Sequence, residues 1–232
     1  MKLSCILCIL FLVFAIESYS QAIPIHEATE KLTIDGDLSD WKTPFLGPFV
    51  VHNWGAKATQ KTFVSLSWND KNLYIAYRCE DSKIVGSLKE IDSQIYKTDD
   101  LVEIFVDPDG DGMNYVEIGV NAFSTYYDML IECALPVCGG WRFSMGFTVV
   151  GMETSSKIDT EGFCTEIKIP FSSLENIKNG KFIKPKVGTK WKGNVFRIDF
   201  GNLTQYLALH HYRSSVFGFH QPNKFAVFEF VE

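Results

Sequence analysis

Apolar residues recur at every second position in one short run after another along this chain, and that period leaves little choice of architecture. In 73–79, Leu73, Ile75, Tyr77 and Cys79 share one face, while Tyr74, Ala76, Arg78 and the following Glu80 share the other. In 163–169, Phe163, Thr165, Ile167 and Ile169 oppose Cys164, Glu166 and Lys168. Comparable runs lie at 64–68, 101–106, 115–121, 143–150, 194–200 and 225–230. Each is rich in β-branched and aromatic residues and bounded by turn formers, which marks strands. Strands apolar on one side must cover a shared core. The expected fold is therefore all-β: a two-sheet antiparallel β-sandwich, jelly-roll-like, immunoglobulin-sized or larger. Helix is expected only as a single turn over 170–174.

The start of the chain reads differently. After Lys2, positions 3–16 are apolar except Ser4, and Ser18, Tyr19 and Ser20 precede Gln21. This is the pattern of an export signal spanning 1–20, cleaved before Gln21; the run is too short to cross a bilayer. A single domain, 21–232, is expected to follow, secreted or periplasmic and without a membrane span. A chain of that length buries about 70% of its unfolded surface, so it folds without needing a metal or disulfide. The net charge of −6 argues against nucleic acid, whose phosphates need a basic face. It leaves small neutral ligands open.

Four cysteines follow the signal: Cys79, Cys133, Cys138 and Cys164. An oxidising compartment favours a disulfide, with Cys133–Cys138 preferred because it closes a short loop around Pro136. Cys79 and Cys164 lie in strand runs and either pair or stay as thiols. None of the four forms a C-x-x-C pair, which argues against zinc.

Several ordered motifs make the reading more specific. They begin with Ile34-Asp35-Gly36-Asp37-Leu38-Ser39-Asp40-Trp41, then Trp68-Asn69-Asp70-Lys71-Asn72-Leu73-Tyr74 and Glu80-Asp81. Asp99-Asp100-Leu101-Val102-Glu103-Ile104-Phe105-Val106-Asp107 follows, then Tyr115-Val116-Glu117 and Val120-Asn121-Ala122. Glu166-Ile167-Lys168-Ile169-Pro170-Phe171 and Phe219-His220-Gln221-Pro222-Asn223-Lys224-Phe225 complete the set. In order and spacing the chain resembles the family 9 carbohydrate-binding modules and their single-domain exported relatives. The resemblance implies a β-sandwich with bound calcium that holds glycan chain ends between two aromatic side chains. On that basis the clamp positions fall at Tyr96 and Phe219, and the sugar-binding glutamate and asparagine at Glu103 and Asn121. An arginine of sugar-binding members is Gly119 here, and both clamp tryptophans are replaced.

The residues support a site without the resemblance. If the strands flanking 107–114 pair as a hairpin with Phe105 opposite Glu117, then Glu103 faces Gly119, with Glu117 and Asn121 as diagonal neighbours. That stripe is either a solvated sheet face or a cradle with open space over Gly119 for a small polar ligand. Aromatic rings cover the apolar faces of sugars and carboxylates take their hydroxyls, so Tyr96, Glu103, Glu117, Asn121 and Phe219 are the candidate carbohydrate-binding residues. Trp54, Trp141 and Tyr212 are further ring candidates, whereas Trp41 and Trp68 are assigned to the core. The loop Asp107-Pro108-Asp109-Gly110-Asp111-Gly112-Met113-Asn114 is either a solvated turn or a calcium site using Asp107, Asp109, Asp111 and Asn114.

The function expected is a secreted, non-catalytic, monomeric carbohydrate-binding module serving polysaccharide breakdown. An O-glycosyl hydrolase would need Glu103 and Glu117 as paired carboxylates. A haem-binding electron-transfer sandwich would draw axial ligands from Met113, Met129, Met145, His210, His211 and His220.

Overall fold

The computed structural model describes residues 22–133, 140–175, 177, 180–214 and 217–232. Among them are β1 (Ile23–Glu27), β2 (Val50–Val51), β3 (Thr62–Trp68), β4 (Asn72–Glu80) and β5 (Leu101–Asp107). The chain continues through β6 (Asn114–Asn121), β7 (Tyr126–Cys133), β8 (Trp141–Ser144), β9 (Glu153–Ile158) and β10 (Gly162–Pro170). A single helical turn, α1 (Phe171–Leu174), precedes β11 (Lys190–Asp199), β12 (Gln205–Ala208) and β13 (Ala226–Val231). The export signal and the preferred Cys133–Cys138 bridge lie outside the described residues.

The strands hydrogen-bond in the order β8-β7-β6-β5-β11-β13-β1-β3-β4-β10-β9, with β12 on β11 and β2 on β12. This sheet folds over itself into two leaves. Val102, Ile104, Val116 and Ile118 of one leaf meet Leu66, Ile75, Ile167 and Ile169 of the other in a single buried cluster. The sandwich is the one the alternation predicts. The structure adds that the leaves are continuous: β1 pairs in parallel with β13 on one side and β3 on the other. Pairings between the other described strands are antiparallel.

Three sequence motifs act as clasps. The Asp35-Gly36 backbone donates to Glu166 Oε2 (3.0 and 2.6 Å), and Trp41 Nε1 donates to Glu166 Oε1 at 2.7 Å. Gly36 has φ +83°, and a Cβ there would press on Lys157, so the turn requires glycine. Arg197 on β11 is fully buried and reaches across the sandwich. It donates to Thr62 Oγ1 on β3 (3.1 Å) and the Glu80 carbonyl on β4 (2.8 Å), and it pairs with Asp81 (2.9 Å) and Asp199 (3.2 Å). Asp100 holds Val85 N and Phe200 N at 2.5 Å each, fixing the loop before β5 to the end of β11.

Cys79 and Cys164 are free thiols. Cys79 lies opposite Phe163, one residue before Cys164, so the two side chains leave opposite faces of the ladder. Cys79 packs in the main core and Cys164 against the small cluster around Trp41. The run expected as a strand over 143–150 is strand only as far as Ser144. Val149 is buried in the core, and its N–H is held by the Asp128 carboxylate instead of a neighbouring strand.

A second aromatic cluster lies on the far face of β5, β6, β7 and β11. It joins Phe105, Tyr115, Tyr127 and Phe196 with Tyr212, Phe219 and Phe225. This is why β5 and β6 are buried on both faces, although their sequences alternate only partly.

Candidate functional site

The register on which the site depends is the one expected: Glu103 faces Gly119, and Phe105 faces Glu117. On the far face of this hairpin lies a cavity of about 550 Å³. Its lining includes Glu103 and Phe105 from β5, Glu117 from β6 and Met129 from β7. Gln94 and Tyr96 enter from the 3-10 turn before β5, and Phe217, Phe219 and His220 from the loop before β13. Phe143 and Phe217 are 52% and 59% exposed, which makes them the most accessible rings of the lining named here.

The space expected to be open over Gly119 is filled. Tyr127 is its partner on β7, and the ring lies so close that a Cβ at residue 119 would clash with it. Tyr127 Oη sits 2.6 Å from Glu103 Oε1 and 2.7 Å from Glu117 Oε1. One hydroxyl carries one hydrogen. It donates to one carboxylate and must accept from the other, so the trio closes fully when one carboxyl is protonated. The electrostatics agree. Glu103 and Glu117 are 2% and 4% exposed. Burial pushes Glu103 up to about 7. Burial, and then the charge of Glu103, push Glu117 well above the usual carboxylate range. At neutral pH the pair shares a proton.

The outer oxygens, Glu103 Oε2 and Glu117 Oε2, have no hydrogen-bond partner among the described residues. His220 comes nearest, with Nε2 3.6 Å from Glu117 Oε2 and Nδ1 2.7 Å from Tyr115 Oη. Its ring stacks on Phe105 at 5.1 Å, and burial holds it down to about 4, so it is neutral.

The expected clamp rings both line this cavity but are held differently. Tyr96 is half-buried and meets Tyr127 edge-on at 5.3 Å. Phe219 is buried and stacks on Phe196 at 4.0 Å, so one of its faces belongs to the core. Asn121 is not brought to the cavity. Its amide nitrogen donates to the Leu88 carbonyl (3.1 Å) and Asp99 (2.9 Å), and its oxygen accepts from Phe123 N and Thr125 N. It therefore builds the β6–β7 turn. Of the further ring candidates, Trp54 is 75% exposed and Trp141 packs on Tyr115, and neither lines the cavity; Tyr212 is buried, its hydroxyl donating to the Phe219 carbonyl. Trp41 and Trp68 are core residues, as assigned.

Sequence reasoning passed over Tyr127, Phe143, Tyr206 and Phe217, and weighed His220 only as an iron ligand. The alternation of Tyr127, Met129 and Ile131, and the density of rings in 217–220, were the available signals. Met129, Met145 and His220 do line one cavity, but His220 turns both nitrogens toward protein partners, and His210 and His211 lie outside the lining.

In the acidic loop, carboxylate oxygens of Asp107, Asp109 and Asp111 lie within 4.8 Å of one another. Asp107 accepts from Gly110 N (3.0 Å) and Gly112 N (2.9 Å), and Asp109 accepts from Lys181 N (2.7 Å). Burial, with the neighbouring aspartates, pushes Asp107 up to about 7. Three converging carboxylates that would gain from a positive charge fit a hard, oxygen-seeking cation. A second group, Asp81, Asp100 and Asp199, is equally close but already holds the Arg197 guanidinium.

Fold and cavity together define a β-sandwich ligand-binding module whose cleft is walled by rings and floored by carboxyl groups. Residues 49–190 match the family described as carbohydrate family 9 binding domain-like, and the chain belongs to that family. Among solved structures it is similar to a Bacteroides uniformis protein proposed to bind carbohydrate, with TM-score 0.69 and 15% identity over 90% of this chain and 98% of that one. It is also similar to a family 9 carbohydrate-binding module of Caldicellulosiruptor kristjanssonii in complex with glucose (TM-score 0.62, 17% identity, 90% and 95% covered). The same holds for such a module from that organism in complex with cellotriose (TM-score 0.61, 17% identity, 90% and 94% covered). At these identities the likeness establishes the fold. No curated protein matches the chain. No helix among the described residues is long and apolar enough to cross a membrane.

Proposed function

We propose that this protein is an exported, monomeric, non-catalytic carbohydrate-binding module that takes a saccharide into the cavity over Glu103 and Glu117, in the service of polysaccharide breakdown. The observation that carries the reading is a ring-walled cavity with two unpartnered carboxyl oxygens at its floor, in a family 9 fold. Covering one ring contributes roughly 1.5–3 kcal/mol and each net hydrogen bond about 1 kcal/mol, which together correspond to micromolar to millimolar affinity. A glycan array followed by calorimetry on the best ligand tests it. Phe217→Ala and Tyr96→Ala, at partly exposed rings, are each expected to weaken binding about tenfold. Absence of binding to any glycan, or unchanged affinity in both variants, overturns the reading.

Hydrolysis is not favoured. Raised carboxyls suit an acid catalyst, but the inner oxygens of Glu103 and Glu117 both grip Tyr127 of the protein itself.

Calcium is proposed as a structural ion held by Asp107, Asp109 and Asp111, with Asn114 beside them. It would bind these carboxylates in ionised form and stabilise the β5–β6 turn. Excess chelator is expected to lower the thermal midpoint by several degrees relative to millimolar calcium, and Asp111→Asn to shrink that difference. Identical melting curves in both conditions would remove the ion from the proposal.

A further inference from the structure

We infer that the cavity takes an amino sugar bearing a free protonated amine, with the ammonium held at the outer oxygens of Glu103 and Glu117. This rests on the carbohydrate reading above and narrows it. Both oxygens belong to buried cavity-lining side chains and both lack a partner. A buried acceptor without a donor costs free energy, and a buried carboxylate without a positive charge costs more.

No such charge comes from the described residues that line the cavity. Neither lysine nor arginine is among the lining residues. Position 119, opposite Glu103, is glycine, and the space above it holds the uncharged Tyr127. The groups facing the pair from the surrounding elements are Tyr127 from β7, Tyr115 from β6, Tyr77 from β4, Tyr96 from the 3-10 turn, and Tyr212 and His220 from the last loop. Burial raises every one of these tyrosines and lowers the histidine, so all are neutral. Lys97 is a nearby cation outside the lining; its ammonium donates to Gln94 Oε1 at 2.6 Å and lies 5.8 Å from the centroid of the Tyr96 ring.

A neutral sugar can donate a hydroxyl to these oxygens, but it leaves the charge problem in place. A primary ammonium supplies donors and charge together, and the ring walls of Tyr96, Tyr206 and Phe217 favour a cation over a second anion. The proton balance follows. The ligand enters as R–NH3⁺ against the single negative charge of the pair, and the proton shared between the carboxyls and Tyr127 stays, so that the occupied site is neutral. At low pH, where both carboxyls are protonated, binding expels one of the two protons to solvent, so affinity rises with pH until the pair carries its one charge.

Calorimetry on the full mature chain tests this with glucosamine, N-acetylglucosamine, glucose and tetramethylammonium at pH 5 and pH 7. At pH 7 glucosamine is expected to bind at least about tenfold more tightly than glucose or N-acetylglucosamine. Its affinity should rise several-fold from pH 5 to 7, with heats at pH 5 that vary between buffers as proton release requires. Glu117→Gln, checked for folding by near-ultraviolet circular dichroism, should lose both the preference and the pH dependence. Glucose binding as well as glucosamine overturns the amine assignment and leaves the carbohydrate reading intact. Binding of tetramethylammonium without any sugar, or of no probe at all, overturns the amino-sugar assignment, and the carbohydrate reading then rests on the glycan array.

Discussion

Replacing Arg197 with alanine is expected to lower stability by about 3–5 kcal/mol, read as a shift of the urea midpoint at unchanged slope. The magnitude follows from what the guanidinium leaves behind. Asp81 and Asp199 lose their cation while remaining almost wholly buried, and Thr62 and the Glu80 carbonyl lose a donor. Asp100, already pushed up to about 6 by burial and then by its aspartate neighbours, gains nothing to offset them. The contact also spans the sandwich, from β11 to β3 and β4, so its loss loosens the join between leaves. Arg197→Met, which keeps the volume over the Phe163 ring, should cost nearly as much, because charge and not bulk is at issue. A loss below about 1 kcal/mol in both variants would show that the aspartates take up protons or water without strain.

The second large effect is on pH. The free protein, without calcium, is expected to melt at least about 5 °C lower at pH 8 than at pH 5, the reverse of acid lability. Glu103 and Asp107 titrate in the folded state near 7, and Asp100 near 6, all raised first by burial. A carboxyl raised on folding holds its proton more tightly in the native state. Its stabilisation is complete below the unfolded value and is lost as pH climbs through the folded one, here between about 4 and 7. Glu117, raised further, extends the loss above that window. Asp37 and Glu80 are lowered and act in the opposite sense, but both are exposed to solvent and contribute little. His52 and His220, held down to about 4 by burial, and His210, lowered likewise, also oppose the trend below about pH 6.5 and offset part of it, but they are outnumbered by the raised carboxyls. Glu103→Gln with Glu117→Gln should flatten the profile, and calcium should oppose the part due to Asp107. A midpoint that rises from pH 5 to pH 8 would contradict this account of the buried carboxyls.

What could be read from the chain follows from what each residue reports on. Alternation in 73–79 and 163–169 marked two strands, which the structure pairs, and Glu103 falls opposite Gly119 once Phe105 is set against Glu117, as it is in the hairpin. Burial on the second face was not legible. Glu103 and Glu117 sit at positions that a simple hairpin exposes to water, and only the long loops folding back as a roof enclose them. Asn121 looked like a ligand-binding amide because its strand position was right, yet its four hydrogen bonds serve a turn. Tyr127, Met129 and Ile131 alternate with Asp128 and Glu132 and mark one apolar face of β7, but the consequence of Gly119 could not be judged without knowing which ring would occupy its space.

The parallel seam made by β1 also bears on how the molecule comes into being. Ile23 is in register with Phe228, and His26 with both Ser67 and Val231, so on its β13 side the seam joins segments about 200 residues apart in sequence. Contacts of such long sequence separation form slowly. On the ribosome, the first strand must wait unpaired on its β13 side until the last has emerged, leaving both leaves with a raw border that can pair with other chains. Closure thus comes late in folding, and chaperone protection would matter most at Ile23 to Glu27.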